Sequence, residues 1–172
     1  LWQHRANIEA TTKDGSTALH LAADDGRLLA VKCLLEKGAK GTATRDGGRL
    51  PLHNACLNGH VEVVRFLLEK YPHTVNATTS QASGLWTPLH MAAQRNSVEC
   101  IEVLLQHGAD IEAATSGGRT ALYIAADNGQ LLAVKCLLEK GAKGTRTDNE
   151  GRLPLHDACF SGHVEVARFL LD

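Results

Sequence analysis

The sequence lacks three features that would mark common functional classes. Its 172 residues carry a formal net charge of −1, so a basic surface for nucleic acid or anionic lipid is not expected. No apolar run comes near the roughly 18 residues that a transmembrane helix requires. No pair of cysteines has the C-x-x-C spacing. We therefore expect neither nucleic-acid binding nor membrane insertion.

Motifs for catalysis and metal binding are missing as well. The chain contains no Gly-x-Ser-x-Gly sequence and no phosphate-binding loop, and we expect no pair of buried carboxylates. His53 and Cys56 lie three residues apart, as do His156 and Cys159, but zinc requires four converging ligands. The sequence thus predicts no catalytic residue, no metal site and no cofactor, in a protein that is not an enzyme.

The five cysteines occur singly among Ala, Leu and Val, at positions that we place inside helices. They are Cys33, Cys56, Cys100, Cys136 and Cys159. An odd number of separate cysteines in apolar surroundings favours buried thiols in a reducing compartment over a disulfide framework. We therefore predict buried thiols in an intracellular, cytoplasmic protein.

What the sequence does contain is one four-residue motif in five versions. Thr87-Pro88-Leu89-His90 is the fullest, and the others occupy residues 17–20, 50–53, 120–123 and 153–156. The first residues of successive motifs are 33, 37, 33 and 33 positions apart. A period of this size indicates a stacked array of small units that bury one another's apolar faces.

Each unit has the pattern of two helices joined by a glycine turn. In the second unit, Pro51 fits the first turn of a helix, where backbone N–H groups are unpaired. Gly59 interrupts the apolar pattern where the chain must reverse, and residues 61–68 restart it at helical spacing. Polar segments between units, such as 41–49, are predicted to form extended hairpins, which we call fingers. Four inserted residues displace the third unit, one near 71–74 and three between 77 and 87.

The repeated pattern resembles the ankyrin repeat. The resemblance rests on G-x-T-P-L-H-x-A-A, then G-H, then V-V-x-x-L-L-x-x-G-A, and it extends over residues 1–172. It implies an all-α solenoid of helix-turn-helix units in two layers, joined by projecting β-hairpin-like fingers. It also implies a module that binds a protein or peptide on its concave face, through the fingertips and the first, inner helix of each unit.

We interpret the chain as a single array of five units, numbered in chain order. The units are predicted at about 13–45, 46–82, 83–115, 116–148 and 149–172. Residues 1–12 are interpreted as the end of a preceding unit, because 3–10 align with 106–113. A solenoid needs polar capping units, and the sequence shows none. We therefore expect a segment of a longer array.

A second period lies within the first. At a shift of 103 residues, positions 15–69 and 118–172 agree at 41 of 55 sites. The differences fall on the fingers and on the inner helices, whereas the second, outer helix hardly varies. A recent duplication followed by drift is one explanation, and a shaped binding surface, which we favour, is the other.

The predicted partner-binding residues come from the fingers and from the ends of the inner helices. Arg and Trp, which are enriched at binding hot spots, recur just before the four-residue motif. For Trp86 two roles remain open, namely contact with a partner or packing over the insertion. The predicted set is Asp46, Arg49, Leu57, Asn58, Trp86, Gln94, Arg95, Arg119, Asp127, Asn128, Glu150, Arg152, Phe160 and Ser161.

This mixture of charged, amide and apolar side chains is typical of a protein or peptide interface with apolar anchors and a polar rim. The sequence thus predicts a non-catalytic protein-binding module. The alternative is an architectural or assembly arm of a larger protein, such as a channel, receptor or microbial effector. Its partner would then include other domains of the same polypeptide.

Overall fold

The structure is a computed structural model that describes residues 6–172. These residues form ten α-helices, and each predicted unit contains one pair. The helices are α1 Ala18–Asp24, α2 Leu28–Glu36, α3 Pro51–Leu57, α4 Val61–Lys70, α5 Pro88–Gln94, α6 Val98–Gln106, α7 Ala121–Asp127, α8 Leu131–Glu139, α9 Pro154–Phe160 and α10 Val164–Leu171. The unit boundaries remain predictions, and the expectation for residues 1–5 lies outside the described residues.

The helix pairs stack in two layers. The odd-numbered inner helices pack on one another in chain order, and so do the even-numbered outer helices. Leu52, Leu89 and Leu122 fill the space between pairs and are at most 2% exposed. The all-α solenoid expected from the sequence is therefore confirmed. None of the helices within residues 6–172 combines the length and apolarity that crossing a bilayer would require.

The chain reverses inside each pair through one residue with a positive φ angle. This residue is glycine in four units, as at Gly59 with φ of 73°. In unit 3 it is Asn96, with φ of 59°, since asparagine tolerates this region best among residues with a side chain. The Oδ1 atom of Asn96 accepts the backbone N–H of Ala133 at 2.8 Å. Asn96 therefore also joins unit 3 to unit 4.

Each finger is closed by one backbone hydrogen bond at its base. In four fingers an N–H group donates to the carbonyl oxygen four residues later, as from Thr115 to Arg119 at 3.0 Å. In the third finger Thr79 donates to Trp86 at 2.9 Å, seven residues later. This finger therefore holds three additional residues, as the sequence predicted. A 3-10 helix, Pro72–Thr74, follows α4 where the fourth is predicted.

The histidine of the four-residue motif connects its own unit to the next finger. The Nδ1 atom of His53 accepts the backbone N–H of Leu50 at 3.1 Å, so Nε2 carries the proton. Nε2 then donates to the carbonyl oxygens of Ala77 at 3.0 Å and Trp86 at 3.2 Å. Burial lowers the pKa of His53, and likewise that of His90, to about 4. These rings therefore act as neutral structural links between units.

The cysteines are not all buried as predicted. Cys56, Cys100 and Cys136 are buried, and burial raises the pKa of Cys100 to about 12. Cys33 and Cys159 are exposed. They belong to the first and last of the described helix pairs, each of which has a neighbouring pair on one side only. The prediction of a buried thiol is therefore wrong at Cys33 and Cys159.

Candidate protein-interaction face

The predicted partner-binding residues fall on the fingers and on the C-terminal ends of the inner helices, which together we call the recognition face. Leu57 is the last residue of α3 and Asn58 follows it as the C-cap. The same two positions in later units are occupied by Gln94 and Arg95, Asp127 and Asn128, and Phe160 and Ser161. The finger residues of the set are Asp46, Arg49, Trp86, Arg119, Glu150 and Arg152.

Backbone hydrogen bonds connect neighbouring fingers along this face. In each case an N–H group of one finger donates to a carbonyl oxygen of the finger before it. The donor–acceptor pairs are Asp46 to Asp14 at 3.3 Å, Ser80 to Gly47 at 2.8 Å, Ser116 to Gly84 at 2.9 Å and Asn149 to Gly117 at 3.0 Å. The five fingers therefore form one ordered platform.

A first cleft lies between fingers 2 and 3. Arg49, Trp86 and Gln94 line it, together with Met91 and the side chains of Thr79 and Ser83, and its volume is about 90 Å³. The Trp86 ring is half-buried and meets the His90 ring edge-on, with 6.0 Å between centroids. Trp86 therefore packs within its own unit and still lines the cleft, so both of its predicted roles remain.

Two larger clefts follow along the same face. One, of about 400 Å³, lies between fingers 3, 4 and 5 and is lined by Trp86, Arg119 and Glu150. The other, of about 440 Å³, is lined by Arg152 and Phe160, and the Phe160 side chain is 90% exposed. The structure thus places half of the predicted residues in three clefts. The others lie outside these clefts, namely Asp46, Leu57, Asn58, Arg95, Asp127, Asn128 and Ser161.

Two buried aspartates, for which we expected no pairing, each line one of the larger clefts. Asp148 and Asp157 are 7% and 4% exposed. The hydroxyl group of the buried Tyr123 lies 3.0 Å from Oδ2 of Asp148 and also bonds Oδ2 of Asp157. The expectation is therefore wrong, because α7, finger 5 and α9 bring together residues that are far apart in the sequence.

Arg119 covers this carboxylate pair. Its guanidinium nitrogens lie 3.6 Å from Asp127, 3.8 Å from Asp148 and 3.9 Å from Asp157. Its guanidinium carbon lies 5.2 Å from the centroid of the Tyr123 ring, within the range of a cation–π contact. The charge of Arg119 is thus largely engaged inside the chain, and a partner would have to compete for it.

Hydrogen bonds keep Asp148 ionised in this cluster. Burial alone would raise its pKa, but backbone N–H groups of Arg152 and Glu150, the Tyr123 hydroxyl and the charge of Arg119 together hold it below its usual value. The pKa of Tyr123 is raised, first by burial and then by the two carboxylates. The phenol therefore stays protonated and acts as a donor.

The differences between the two sequence copies contain a signal for this cluster. Tyr123, Asp148 and Asp157 are three of the fourteen positions that differ between the two copies. They replace His20, Arg45 and Asn54 at the shift of 103 residues. Positions that change together in two copies of one fold are candidates for mutual contact, and here they touch.

Two of the predicted amides also have partners within the chain. The Nδ2 atom of Asn58 donates to the backbone oxygen of Asp24 at 3.1 Å and to its carboxylate at 3.0 Å. The Nδ2 atom of Asn128 donates to the carbonyl of Ile124 at 2.8 Å. Both amides are exposed. A partner that accepts hydrogen bonds from these two Nδ2 groups would therefore have to replace bonds that already exist within the chain.

The spacing of His and Cys does not lead to a metal site in the part of the chain that the structure describes. There, no three His, Cys, Asp or Glu side chains are placed to hold one ion. His53 instead bonds backbone groups through both ring nitrogens. His156 is exposed, and its Nδ1 atom accepts the backbone N–H of Leu153 at 2.9 Å.

Comparison with known families agrees with this architecture. A family model described as "Ankyrin repeats (3 copies)" matches residues 1–79, 47–115, 72–148 and 113–172. The chain belongs to the ankyrin-repeat family. Ankyrin repeats are protein-interaction modules and are typically not catalytic.

The ankyrin array is similar to parts of larger proteins. It is 33% identical to Tyrosine-protein kinase HTK16 of Hydra vulgaris over 107 residues, which is 62% of this chain and 14% of the kinase. It is 33% identical over 117 residues to Transient receptor potential cation channel subfamily A member 1 of Homo sapiens, covering 65% of this chain and 10% of the channel. It is also 33% identical to SH3 and multiple ankyrin repeat domains protein 2 of Homo sapiens over 114 residues, 66% of this chain and 6% of that protein. The chain thus spans a small part of each relative.

Proposed function

We propose that this array binds a protein or peptide partner on the recognition face. The main support is that predicted residues from four units line three adjoining clefts on that face. The hydrogen bonds between fingers hold the platform in place before binding. A preformed surface loses little conformational entropy on association, so more of the contact energy appears as affinity.

The chemistry of the clefts favours a partner with apolar or aromatic anchors and a mixed polar rim. Phe160 and Trp86 offer aromatic surface, and Arg49 offers a positive charge. Arg152 and Glu150 form an ion pair at 2.7 Å and contribute polar groups to the rim. Aromatic and Arg side chains dominate interface energies when they are surrounded by polar groups that exclude water. We propose that Phe160 and Trp86 contribute most of the affinity.

A second candidate function is that of an assembly arm within a larger polypeptide. The observation that favours it is the small share of each relative that the chain covers, from 6% to 14% in the three described above. The partner would then be another domain of the same protein. We further propose a reducing, cytoplasmic location, because the buried cysteines are free thiols, which persist in reducing compartments.

Site-directed photocrosslinking tests the recognition face. A photoreactive amino acid is placed at position 86 or 160, and as a matched control at position 135 or 139 of the outer helix α8. Crosslinks to one partner are expected from positions 86 and 160 only. Equal or stronger crosslinking from α8 would contradict the proposal. A partner peptide that maps to the same polypeptide would favour the assembly arm.

A further inference from the structure

One arginine of the recognition face has no anionic partner in the part of the chain that the structure describes. Arg49 is half-buried and lines the first cleft, between fingers 2 and 3. Within residues 6–172 its guanidinium group forms neither an ion pair nor a hydrogen bond. Four other finger arginines each lie within 3.9 Å of a carboxylate oxygen, namely Arg45, Arg119, Arg146 and Arg152. Arg49 therefore carries a positive charge that the described residues do not pair.

The surroundings of Arg49 favour the binding of an anion. Its pKa is lowered, first by burial and then by the neighbouring positive charge of Arg45, whereas the charge of Asp24 acts in the opposite direction. An additional negative charge within about 4–6 Å favours the charged form of such a group. A carboxylate at the first cleft would thus offset both the lost solvation of Arg49 and its repulsion by Arg45.

The second copy of the sequence contains an example of this pairing. Arg152 corresponds to Arg49 at the shift of 103 residues. Its guanidinium nitrogens lie 2.7 Å from a carboxylate oxygen of Glu150 and 3.6 Å from one of Asp157. In unit 5, two carboxylates of the same chain therefore surround the arginine at this position.

Unit 2 has no counterpart of either carboxylate. Gly47 and Asn54 occupy the positions equivalent to Glu150 and Asp157, and neither carries a charge. Asn54 is 1% exposed, and its Nδ2 and Oδ1 atoms have no hydrogen-bond partner among the described residues. The first copy therefore lacks the two anions that the second copy supplies, and it leaves a buried amide unpaired.

The other residues of the first cleft fit a carboxylate that has an apolar neighbour. The hydroxyl oxygen of Thr79 accepts the backbone N–H of Trp86 at 2.8 Å, so its proton is available to a second acceptor. The hydroxyl oxygen of Ser83 lies 3.1 Å from that of Ser80 and also lines the cleft. Trp86 lines both this cleft and the next one, so its ring offers an apolar contact beside the anion.

We propose that Arg49 binds the carboxylate of an acidic side chain of the partner, in the role that Glu150 and Asp157 play beside Arg152. An apolar residue next to this acid contacts Trp86. The planar guanidinium group presents paired N–H donors that match the two oxygens of a carboxylate. This inference rests on the proposed function, because it assigns a chemical class to the partner of the recognition face.

Selection from a library of random peptides displayed on phage tests the inference. The library is selected against the whole 172-residue chain, and the affinities of the enriched peptides are measured by fluorescence anisotropy. The enriched peptides are expected to contain Asp or Glu beside a large apolar residue. Their binding should weaken as the salt concentration rises, because salt screens a partly exposed ion pair.

A double-mutant cycle then tests whether the acid of the peptide contacts Arg49. Arg49→Gln in the protein, and replacement of the acid by its amide in the peptide, should each weaken binding by about 10-fold. Both changes together should weaken it little more than either alone, as expected for groups in contact. Arg65→Gln removes an exposed charge from α4 of the same unit and is the matched control, with an expected change below about 2-fold.

The outcomes separate this inference from the proposed function. Peptides that bind without an acid, or whose acid is additive with Arg49→Gln, would overturn the inference and leave the proposed function intact. An equal loss with Arg65→Gln would also overturn it, in favour of an effect of net charge. A library that yields no binder would contradict the proposed function as well. The amide change in the peptide requires no protein variant, so the role of the acid is tested even if Arg49→Gln impairs folding.

Discussion

Units 1–2 and units 4–5 are two versions of one sequence, and they differ most in the polar contacts between their units. In the first version Nε2 of His20 donates to the carbonyl of Arg49 at 3.1 Å, and Arg45 bonds the Ser16 hydroxyl at 3.3 Å. The amide atoms of the buried Asn54 have no hydrogen-bond partner. In the second version a tyrosine, two carboxylates and an arginine form one cluster.

The four positions of this cluster are coupled by contact. Residue 119 is arginine where residue 16 is serine, and residue 148 is aspartate where residue 45 is arginine. The positive charge thus lies at Arg45 in units 1–2 and at Arg119, in the neighbouring finger, in units 4–5. The position equivalent to Arg45 carries a negative charge, at Asp148, in units 4–5. Part of the divergence between the copies therefore reflects compatibility inside the fold, and only the remainder is available to explain binding.

The largest expected effect compares equivalent leucines of the two copies. Leu52 is 2% exposed, because unit 3 covers it, whereas Leu155 in unit 5 is only half-buried. Leu52→Ala should lower the free energy of unfolding by about 2–5 kcal/mol, and Leu155→Ala by less than about 2 kcal/mol. Urea unfolding followed by circular dichroism measures both. Equal costs would contradict the described burial.

The second expected effect concerns the polar cluster. Asn54→Asp alone buries a carboxylate that lacks the donors of the second copy, at a cost of about 2–3 kcal/mol. The fourfold variant S16R/H20Y/R45D/N54D supplies those donors and should be more stable than the sum of its parts by at least about 1 kcal/mol. The triple variant without Asn54→Asp is the control. Strict additivity of the unfolding free energies would show that the cluster positions are independent.

The sequence predicted the helix pairs because each is set by local signals. Pro51 and Gly59 mark the start of α3 and the turn after it, and both positions hold in the structure. The cluster was not predicted because Tyr123 and Asp157 meet only after two units stack. Burial at Cys159 was wrongly predicted for the same reason, since it depends on a neighbouring unit rather than on the local pattern. For the recognition face, the repeat period indicated which residues share one side of the array. It did not indicate the hydrogen bonds and ion pairs that these residues form within the chain.

The third expected effect is a dependence of stability on pH. The folded state holds the pKa of His53 at about 4, below the usual value of about 6.5 in an unfolded chain. The folded state therefore binds this proton less readily, so the stabilisation is complete above about pH 6.5 and is lost as the pH falls towards 4. Between pH 7 and 5 the free energy of unfolding should fall by about 2 kcal/mol through His53.

His156 provides the matched control for this pH dependence, because it occupies the same position in unit 5 and is exposed. His53→Gln should reduce the slope of stability against pH by more than His156→Gln does, because only His53 is buried. Urea midpoints at pH 7, 6 and 5 give the slopes. His90 stays in both variants and contributes the same background. Equal slopes in the two variants would rule out burial as the cause.

The smallest expected effect on stability separates binding from folding at Leu57 and Phe160. Phe160 is 90% exposed, so Phe160→Ala should change the free energy of unfolding by less than about 0.5 kcal/mol. If Phe160 is an aromatic anchor, the same change should weaken binding of a crosslinked partner by at least about 2 kcal/mol in titration calorimetry. Phe160→Leu, which installs the residue of unit 2, should fall between these limits. Unchanged affinity in both variants would place the partner elsewhere and would assign this difference between the copies to drift.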